Sequence, residues 1–222
     1  MRRSPHRIIS VLLAGCLGAS SAFSYDRELS STAVREAYFL GQRHSKDTRD
    51  FLTPYSRHLP LPKSGPSISA IRLLTPRAQV VEFSSQQSLG YSAQQAWLDY
   101  RARGDSILLE IRIEFTPTYN QFDAQHSSIH AAGRGGITLR TGDFWQDFRF
   151  VLKQKEDWIE PRSIRGEPEY SRSANYGNGG LIGAWVSVDY DARDVPRAET
   201  EVHALTPDGQ DVSAVFDHET LQ

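Results

Sequence analysis

The sequence predicts a mainly β protein: an antiparallel β-sandwich with an N-terminal helical segment and one helix at about residues 92–103. Three stretches in which apolar and polar residues alternate carry this prediction, because alternation buries one face of a strand and exposes the other. They are residues 107–115, 148–152 and 182–190. Turn signals separate them, and the alternation of strands with helices that a parallel sheet requires is absent.

The N-terminal helical segment is predicted over residues 25–58. Residues 26–44 have apolar side chains at helical spacing, and Ser30, Ser31 and Thr32 offer caps for the helix start. Residues 45–53 predict a short second helix that Pro54 closes. Residues 59–66 alternate proline with other residues, which is typical of a stiff, extended connector, so we place a domain boundary there.

A sandwich domain is predicted over residues 67–220. Residues 67–74 and 79–84 are two β-rich runs, and Pro76 between them indicates an edge strand or a turn. The helix at 92–103 begins with a capping box, in which Ser92 and Gln95 each reach the other's free backbone N–H. Gly104 then suits the left-handed conformation that ends helices.

The last two strands are predicted at residues 199–205 and 212–216. The intervening Thr206-Pro207-Asp208-Gly209 suits a type I turn, so these strands form a hairpin. The pattern of strands is similar to that of immunoglobulin-like or fibronectin-like modules in general character. That similarity concerns the fold alone, since many functions share such sandwiches.

Composition excludes several classes of protein. Hydrophobic residues make up 39% of the 222, which is enough to form a core. The formal charge is −2, and it becomes −5 without the three arginines of the first seven residues. Nucleic-acid binding is therefore not expected, because phosphate backbones demand a basic surface. No motif indicates a cofactor, and no apolar run after the leader reaches the length of a membrane span.

Residues 1–24 predict an export signal, with a basic start, an apolar stretch at residues 8–14 and small residues after it. The stretch ends in Leu13-Ala14-Gly15-Cys16, which resembles the bacterial lipobox. That resemblance implies a diacylglycerol on the Cys16 thiol and Cys16 as the mature N-terminus. The alternative is ordinary cleavage after Ala22 or Ser24. Because Cys16 is the only cysteine, the exported body has no internal disulfide.

The longest segment without periodicity, residues 167–181, is the predicted binding loop. Tyr170, Asn175, Tyr176 and Asn178 lie there among Ser, Arg and Gly, a composition typical of adaptable binding loops. The four tryptophans are expected in the core, because packing is the usual role of aromatic side chains on alternating strands. The alternative is that they form a ligand platform with Phe144.

Two weaker metal patterns are present. Asp189, Asp191 and Asp194 follow one another at the end of a predicted strand, where carboxylates can hold calcium. His126 and His130 have the spacing of zinc ligands, but two ligands do not make a zinc site. We expect both patterns to be solvated or structural.

These features predict an exported bacterial envelope protein, a non-enzymatic binding or assembly module whose partner is an envelope protein or glycan. It is anchored through Cys16, or free outside the cytoplasm if cleaved after Ala22 or Ser24. One alternative is an envelope-directed hydrolase, which needs His126 or His203 beside a carboxylate and a hydroxyl in a pocket. The other is a calcium-stabilised sandwich.

Overall fold

The structure is a computed structural model. It describes residues 26–87, 90–120, 122–123, 138–171, 180–195, 199–218 and 220–221. The described chain is mainly β, with two larger antiparallel sheets and a few helices, which confirms the predicted class. Within these ranges no helix is long and apolar enough to cross a bilayer.

Two helices begin the described chain, as predicted. Helix α1 (Ser31–Gln42) starts at Ser30, whose side chain accepts a hydrogen bond from the backbone N–H of Ala33. Such a cap satisfies one of the free N–H groups of the first turn. Helix α2 (Lys46–Leu52) follows, and a short 3-10 helix at Thr53–Tyr55 carries Pro54.

The strand predicted at residues 79–84 is wrong, because this segment lies in helix α3 (Pro76–Gln86). Thr75 caps the helix by accepting from the N–H of Ala78, and Pro76 occupies the first turn. Proline is favoured there, since the N–H that it lacks would have no helical partner. Pro76 thus starts a helix, and the β preference of Val80 and Val81 is overridden by their burial.

Helix α4 (Ala93–Arg103) confirms the predicted helix, but its capping box is only half formed. Ser92 accepts from the N–H of Gln95 at 3.2 Å. The Gln95 amide donates to Asp99, at 2.7 Å, instead of returning to Ser92. Gly104 ends the helix with a positive φ of +77°, but its ψ of −176° lies outside the left-handed helical conformation that was expected.

The helices form a second apolar cluster beside the sheets. Helix α1 packs against α3 and α4, so the segment before the proline-rich connector shares a core with the segment after it. Gly41 allows the closest approach, because a Cβ there would overlap the carbonyl oxygen of Val81. The buried members of this cluster are Leu29, Val34, Ala37, Val80, Val81, Ala96 and Tyr100.

The strands of the described chain are β1 (Ser56–His58), β2 (Ser67–Leu74), β3 (Ser106–Glu114), β4 (Phe122–Asp123), β5 (Thr138–Leu139), β6 (Arg149–Gln154), β7 (Asp157–Ile159), β8 (Ser163–Tyr170), β9 (Leu181–Asp191), β10 (Thr200–Leu205) and β11 (Asp211–Phe216). The five-stranded sheet has the order β1-β2-β3-β9-β8, and the four-stranded sheet has the order β11-β10-β6-β7. Strands β4 and β5 pair separately, and every pairing is antiparallel.

The two larger sheets share one apolar core. The five-stranded sheet contributes side chains of β2, β3 and β9, and the four-stranded sheet contributes side chains of β6, β10 and β11. The Tyr190 hydroxyl donates to the carbonyl of Phe150 at 3.3 Å and so links the two sheets. The central members of the core are Ile71, Leu73, Leu109, Ile111, Val186, Val188, Tyr190, Phe150, Leu152, Val202, Ala204 and Phe216.

The predicted alternation of β9 holds from Ala184 to Tyr190 but is wrong at Ile182, which is exposed while Leu181 is buried. The pairing of β8 with β9 shifts register between Glu169 and Tyr170, beside this point. Such an irregularity moves the following side chains to the other face.

The predicted hairpin is confirmed by the pairing of β10 with β11. In its turn the N–H of Gly209 donates to the carbonyl of Thr206 at 3.0 Å, and Gly209 has φ of +83°. Glycine adopts this conformation without the strain that a side chain would bring.

The proline-rich connector is tied to the body at Gly65. The N–H of Gly65 donates to the hydroxyl of Thr118 at 2.9 Å, and its carbonyl accepts from the hydroxyl of Thr116 at 2.6 Å. The Gln210 amide in the hairpin also donates to the carbonyl of Ser64. These contacts join the connector to the loop after β3 and to the β10–β11 turn.

His218, just after β11, is fully buried in a polar chain. The Gln154 amide nitrogen donates to the hydroxyl of Thr200 at 2.6 Å, and that hydroxyl lies 2.7 Å from Nε2 of His218. Burial lowers the pKa of His218 from 6.5 to about 4, so the ring is neutral in the folded protein.

We expect replacement of Gly41 by alanine to destabilise the protein by about 2 kcal/mol, because overpacking against α3 outweighs the gain in helix propensity. The free energy of unfolding in urea checks this. The matched control is Glu36→Ala on the exposed side of α1, which should change stability by less than about 0.5 kcal/mol. Equal stability of the two variants would contradict the close helix contact.

We expect acid to destabilise the fold through His218. The unfolded chain takes up a proton near pH 6.5 and the folded protein only near pH 4, so stability is full above pH 6.5 and falls as the pH drops toward 4. Protonation of His218 lowers the free energy of unfolding by about 3 kcal/mol over this range. Urea unfolding between pH 4 and 7.5 measures it.

The variant His218→Gln should flatten that pH profile, although it is less stable at neutral pH. The exposed His58 provides the control, since His58→Gln should leave the profile unchanged. A His218→Gln variant with the slope of the parent protein would show that this imidazole is not the group responsible.

Candidate functional site

The loop bounds predicted at residues 167–181 are wrong at both ends, because residues up to Tyr170 belong to strand β8 and Leu181 begins β9. Binding by this segment stays a prediction. This strand pairs with β9 at the edge of the five-stranded sheet and is exposed along most of its length. Edge strands tolerate proline, which explains Pro168. The packing also favours glycine at position 166, since the Trp145 ring occupies the space that a Cβ would take there. With glycine, proline and little burial, β8 lacks the alternation that identifies strands.

The candidate binding residues divide between β8 and the segment after it. Tyr170 ends β8, is more than half exposed, and has its hydroxyl beside Gly142. Asn175, Tyr176 and Asn178 lie outside the described residues, so their place relative to Tyr170 stays a prediction.

The candidate calcium ligands at the end of β9 contact basic and hydroxyl groups. Asp189 accepts hydrogen bonds from Ser163 and Arg165, each at 3.0 Å. Asp191 binds the guanidinium of Arg193 at 2.6 Å, and this contact holds the pKa of Asp191 well below its usual range. Asp194 lies in the turn after β9, where its backbone N–H donates to the carbonyl of Asp191.

Metal binding gains no support from the described part of the chain. No group of three or more His, Cys, Asp or Glu side chains in those ranges could hold a metal ion. His126 and His130 are not among the described residues, so their arrangement stays a prediction.

A charge network joins helix α3 to the outer face of the five-stranded sheet. Arg72 on β2 donates to Glu110 on β3 at 2.7 Å and also contacts Glu82 on α3. Burial raises the pKa of Glu110, and the neighbouring guanidinium of Arg72 opposes that rise. Because one cation serves two half-buried carboxylates, Arg72 fixes α3 against the sheet.

A second network lies farther along the same face. Arg112 binds Glu169 at 3.0 Å and Glu114 at 3.1 Å, and its guanidinium lies 5.5 Å from the ring centre of Trp185. Trp185 is 37% exposed, so the expectation of a core residue is wrong for this tryptophan. The alternation of β9 places it on the outer face, opposite Arg112 on β3 and Glu167 on β8.

The outer face of the four-stranded sheet carries what we call the Trp158 cluster: Trp158, Lys153, Glu201, His203 and Asp211. Trp158 is 51% exposed, and the centre of its ring lies 5.0 Å from the centre of the imidazole of His203, a residue that is only 7% exposed. The ammonium of Lys153 lies 5.4 Å from the centre of the Trp158 ring. The expected core position is wrong for this tryptophan too.

His203 lies between two carboxylates of the cluster. Its Nδ1 is 3.0 Å from Asp211, and its Nε2 is 3.3 Å from Glu201. The hydrolase alternative requires a hydroxyl on the ring as well, and among the described residues no hydroxyl is hydrogen-bonded to it. Sequence reasoning missed this cluster, although the period of two in β10 already places Glu201 and His203 on one face.

A cavity of about 380 Å³ lies between the start of the described chain and helix α4. Its lining includes Leu29, Trp97, Tyr100, Arg101 and Asp105. The Tyr100 hydroxyl accepts from the N–H of Leu29 at 2.8 Å and donates to Asp105, and burial raises the pKa of Tyr100. The Tyr100 hydroxyl is thus hydrogen-bonded to two neighbours, and its raised pKa keeps it protonated, so Tyr100 is not an activated nucleophile.

No known protein family matches the chain, and neither a curated protein nor a solved structure shows detectable similarity to it.

We expect Arg72→Met to destabilise the protein by about 2 kcal/mol, because Glu82 and Glu110 would lose their shared cation. The free energy of unfolding in urea is the measurement. Arg165→Met is the matched control, since the Arg165 side chain is 73% exposed and a surface arginine of this kind contributes less than about 1 kcal/mol through its ion pair. If both variants lost the same free energy of unfolding, the Arg72 network would contribute no more to stability than the Arg165–Asp189 ion pair.

Proposed function

We propose that the protein is an exported bacterial envelope module that binds or assembles with a partner and has no catalytic role. The observation that carries this proposal is the pair of partly exposed tryptophans, Trp158 and Trp185, one on the outer face of each larger sheet. Each ring is held by charged neighbours on adjacent strands. Rigid aromatic side chains on a sheet are favourable contact residues, because little entropy is lost when they bind.

The partner in this proposal is a protein or glycan of the envelope, and the segment from Tyr170 to Leu181 takes part in the contact. Two features support it: the exposure of Tyr170 at the end of β8, and the Tyr, Asn and Gly composition that follows. The fold in this proposal is a sandwich, immunoglobulin-like or fibronectin-like in general character, supported by two antiparallel sheets that share one core.

The leader in this proposal delivers the chain to the envelope. The Leu-Ala-Gly-Cys pattern supports acylation of Cys16, and two acyl chains on the glycerol would give stable anchoring. Cleavage after Ala22 or Ser24 would instead release the chain outside the cytoplasm.

We expect mass spectrometry of the chain, expressed in a bacterial host and extracted with detergent, to show a diacylglycerol on an N-terminal Cys16. The variant Cys16→Ser should lose the lipid and leave the membrane fraction. An unmodified N-terminus at Phe23 or Tyr25 in the parent protein would show that ordinary cleavage is used.

We expect the double variant Tyr170→Ala, Tyr176→Ala to retain less than about a tenth of the partner captured from intact envelopes, as for an interface hot spot. Quantitative crosslinking and capture measures this, with melting temperature as the test of folding. Phe39→Ala is the control, because Phe39 is an exposed aromatic on α1, away from β8. Undiminished capture by a folded double variant would remove this segment from the contact.

A further inference from the structure

We propose that the Trp158 cluster is a binding subsite for a neutral saccharide, an inference that rests on the proposed function as a binding module. The cluster places an exposed aromatic ring, two carboxylates and an ammonium group on one sheet face. Each of these groups matches one part of a sugar ring.

The aromatic platform is fixed before any ligand arrives. Trp158 on β7 lies opposite Lys153 on β6, and Lys153 lies opposite Glu201 on β10. The ring contacts His203 on one side, so its position does not depend on a flexible loop. Because Trp158 is 51% exposed as a residue, part of its apolar surface is available for stacking. The C–H face of a pyranose ring is such a surface.

The polar groups around the platform suit alcohols. The side chains of Glu201 and Asp211 are 38% and 48% exposed, although each also contacts His203. A carboxylate has several lone pairs, so each retains capacity to accept hydrogen bonds from hydroxyl groups. The ammonium of Lys153 donates, and sugar hydroxyls can receive as well as give hydrogen bonds. Both carboxylates contact the imidazole of His203, with Asp211 3.0 Å from Nδ1 and Glu201 3.3 Å from Nε2.

The charge of the cluster favours a neutral ligand. A phosphate or another anion would meet the carboxylates of Glu201 and Asp211. A flat protein partner would have to remove water from Glu201, Asp211 and Lys153 together. This desolvation costs free energy unless every charged group is paired. A saccharide leaves the outer edge of each charged group in water while its ring covers Trp158.

The experiment uses the processed, exported chain and three neutral linear hexasaccharides, cellohexaose, chitohexaose and maltohexaose. We expect calorimetry to show binding of at least one of them. Trp158→Ala should weaken that binding tenfold or more, as expected for an aromatic anchor. Trp158→Phe, which still covers His203, should weaken it less. The indole N–H signal of Trp158 should shift in NMR spectra during the titration.

The matched control is Phe39→Ala, which removes an exposed aromatic side chain of helix α1 and should leave the affinity unchanged. Melting temperatures confirm that the variants fold. The proposal is overturned if none of the three saccharides binds, or if Trp158→Ala and Phe39→Ala have equal effects. Capture of an envelope partner without saccharide binding would overturn this subsite alone, whereas failure of both would also remove the proposed function.

Discussion

Burial of apolar side chains between the two larger sheets is the interaction on which the arrangement of both sheets depends. Residues such as Leu109, Val188 and Tyr190 meet Phe150 and Val202 from the other sheet. Because Cys16 is the only cysteine, no internal disulfide supports this packing. Apolar burial and the hydrogen bonds of the sheets must therefore offset the chain entropy lost on folding.

The same core determines what the outer faces present. Once Ile111 and Val186 point inward, their neighbours Arg112 and Trp185 must point outward. The arrangement on the other sheet follows from the burial of Val202 and Ala204, which leaves Glu201 and His203 on the outer side. Charged and aromatic groups thus become neighbours across strands without any loop to position them.

Prediction from the sequence succeeded where the local pattern was strong and failed where it was ambiguous. The alternation of β3 and the turn at Gly209 sufficed for a strand and a hairpin. Helix α3 was missed because Val80 and Val81 favour strands, although Thr75 and Pro76 are a helix start. Strand β8 was missed because an exposed edge strand needs no alternation.

Neighbouring residues alone specify the period of each strong strand, the caps at Ser30 and Ser92, and the hairpin turn, so these could be predicted before any fold was known. The pairings of β3 with β9 and of β6 with β10 emerge only in the folded chain. Those pairings bring together residues far apart in the chain, such as Trp158 with His203. Contacts of this kind arise from the shared core, so no local pattern contains them.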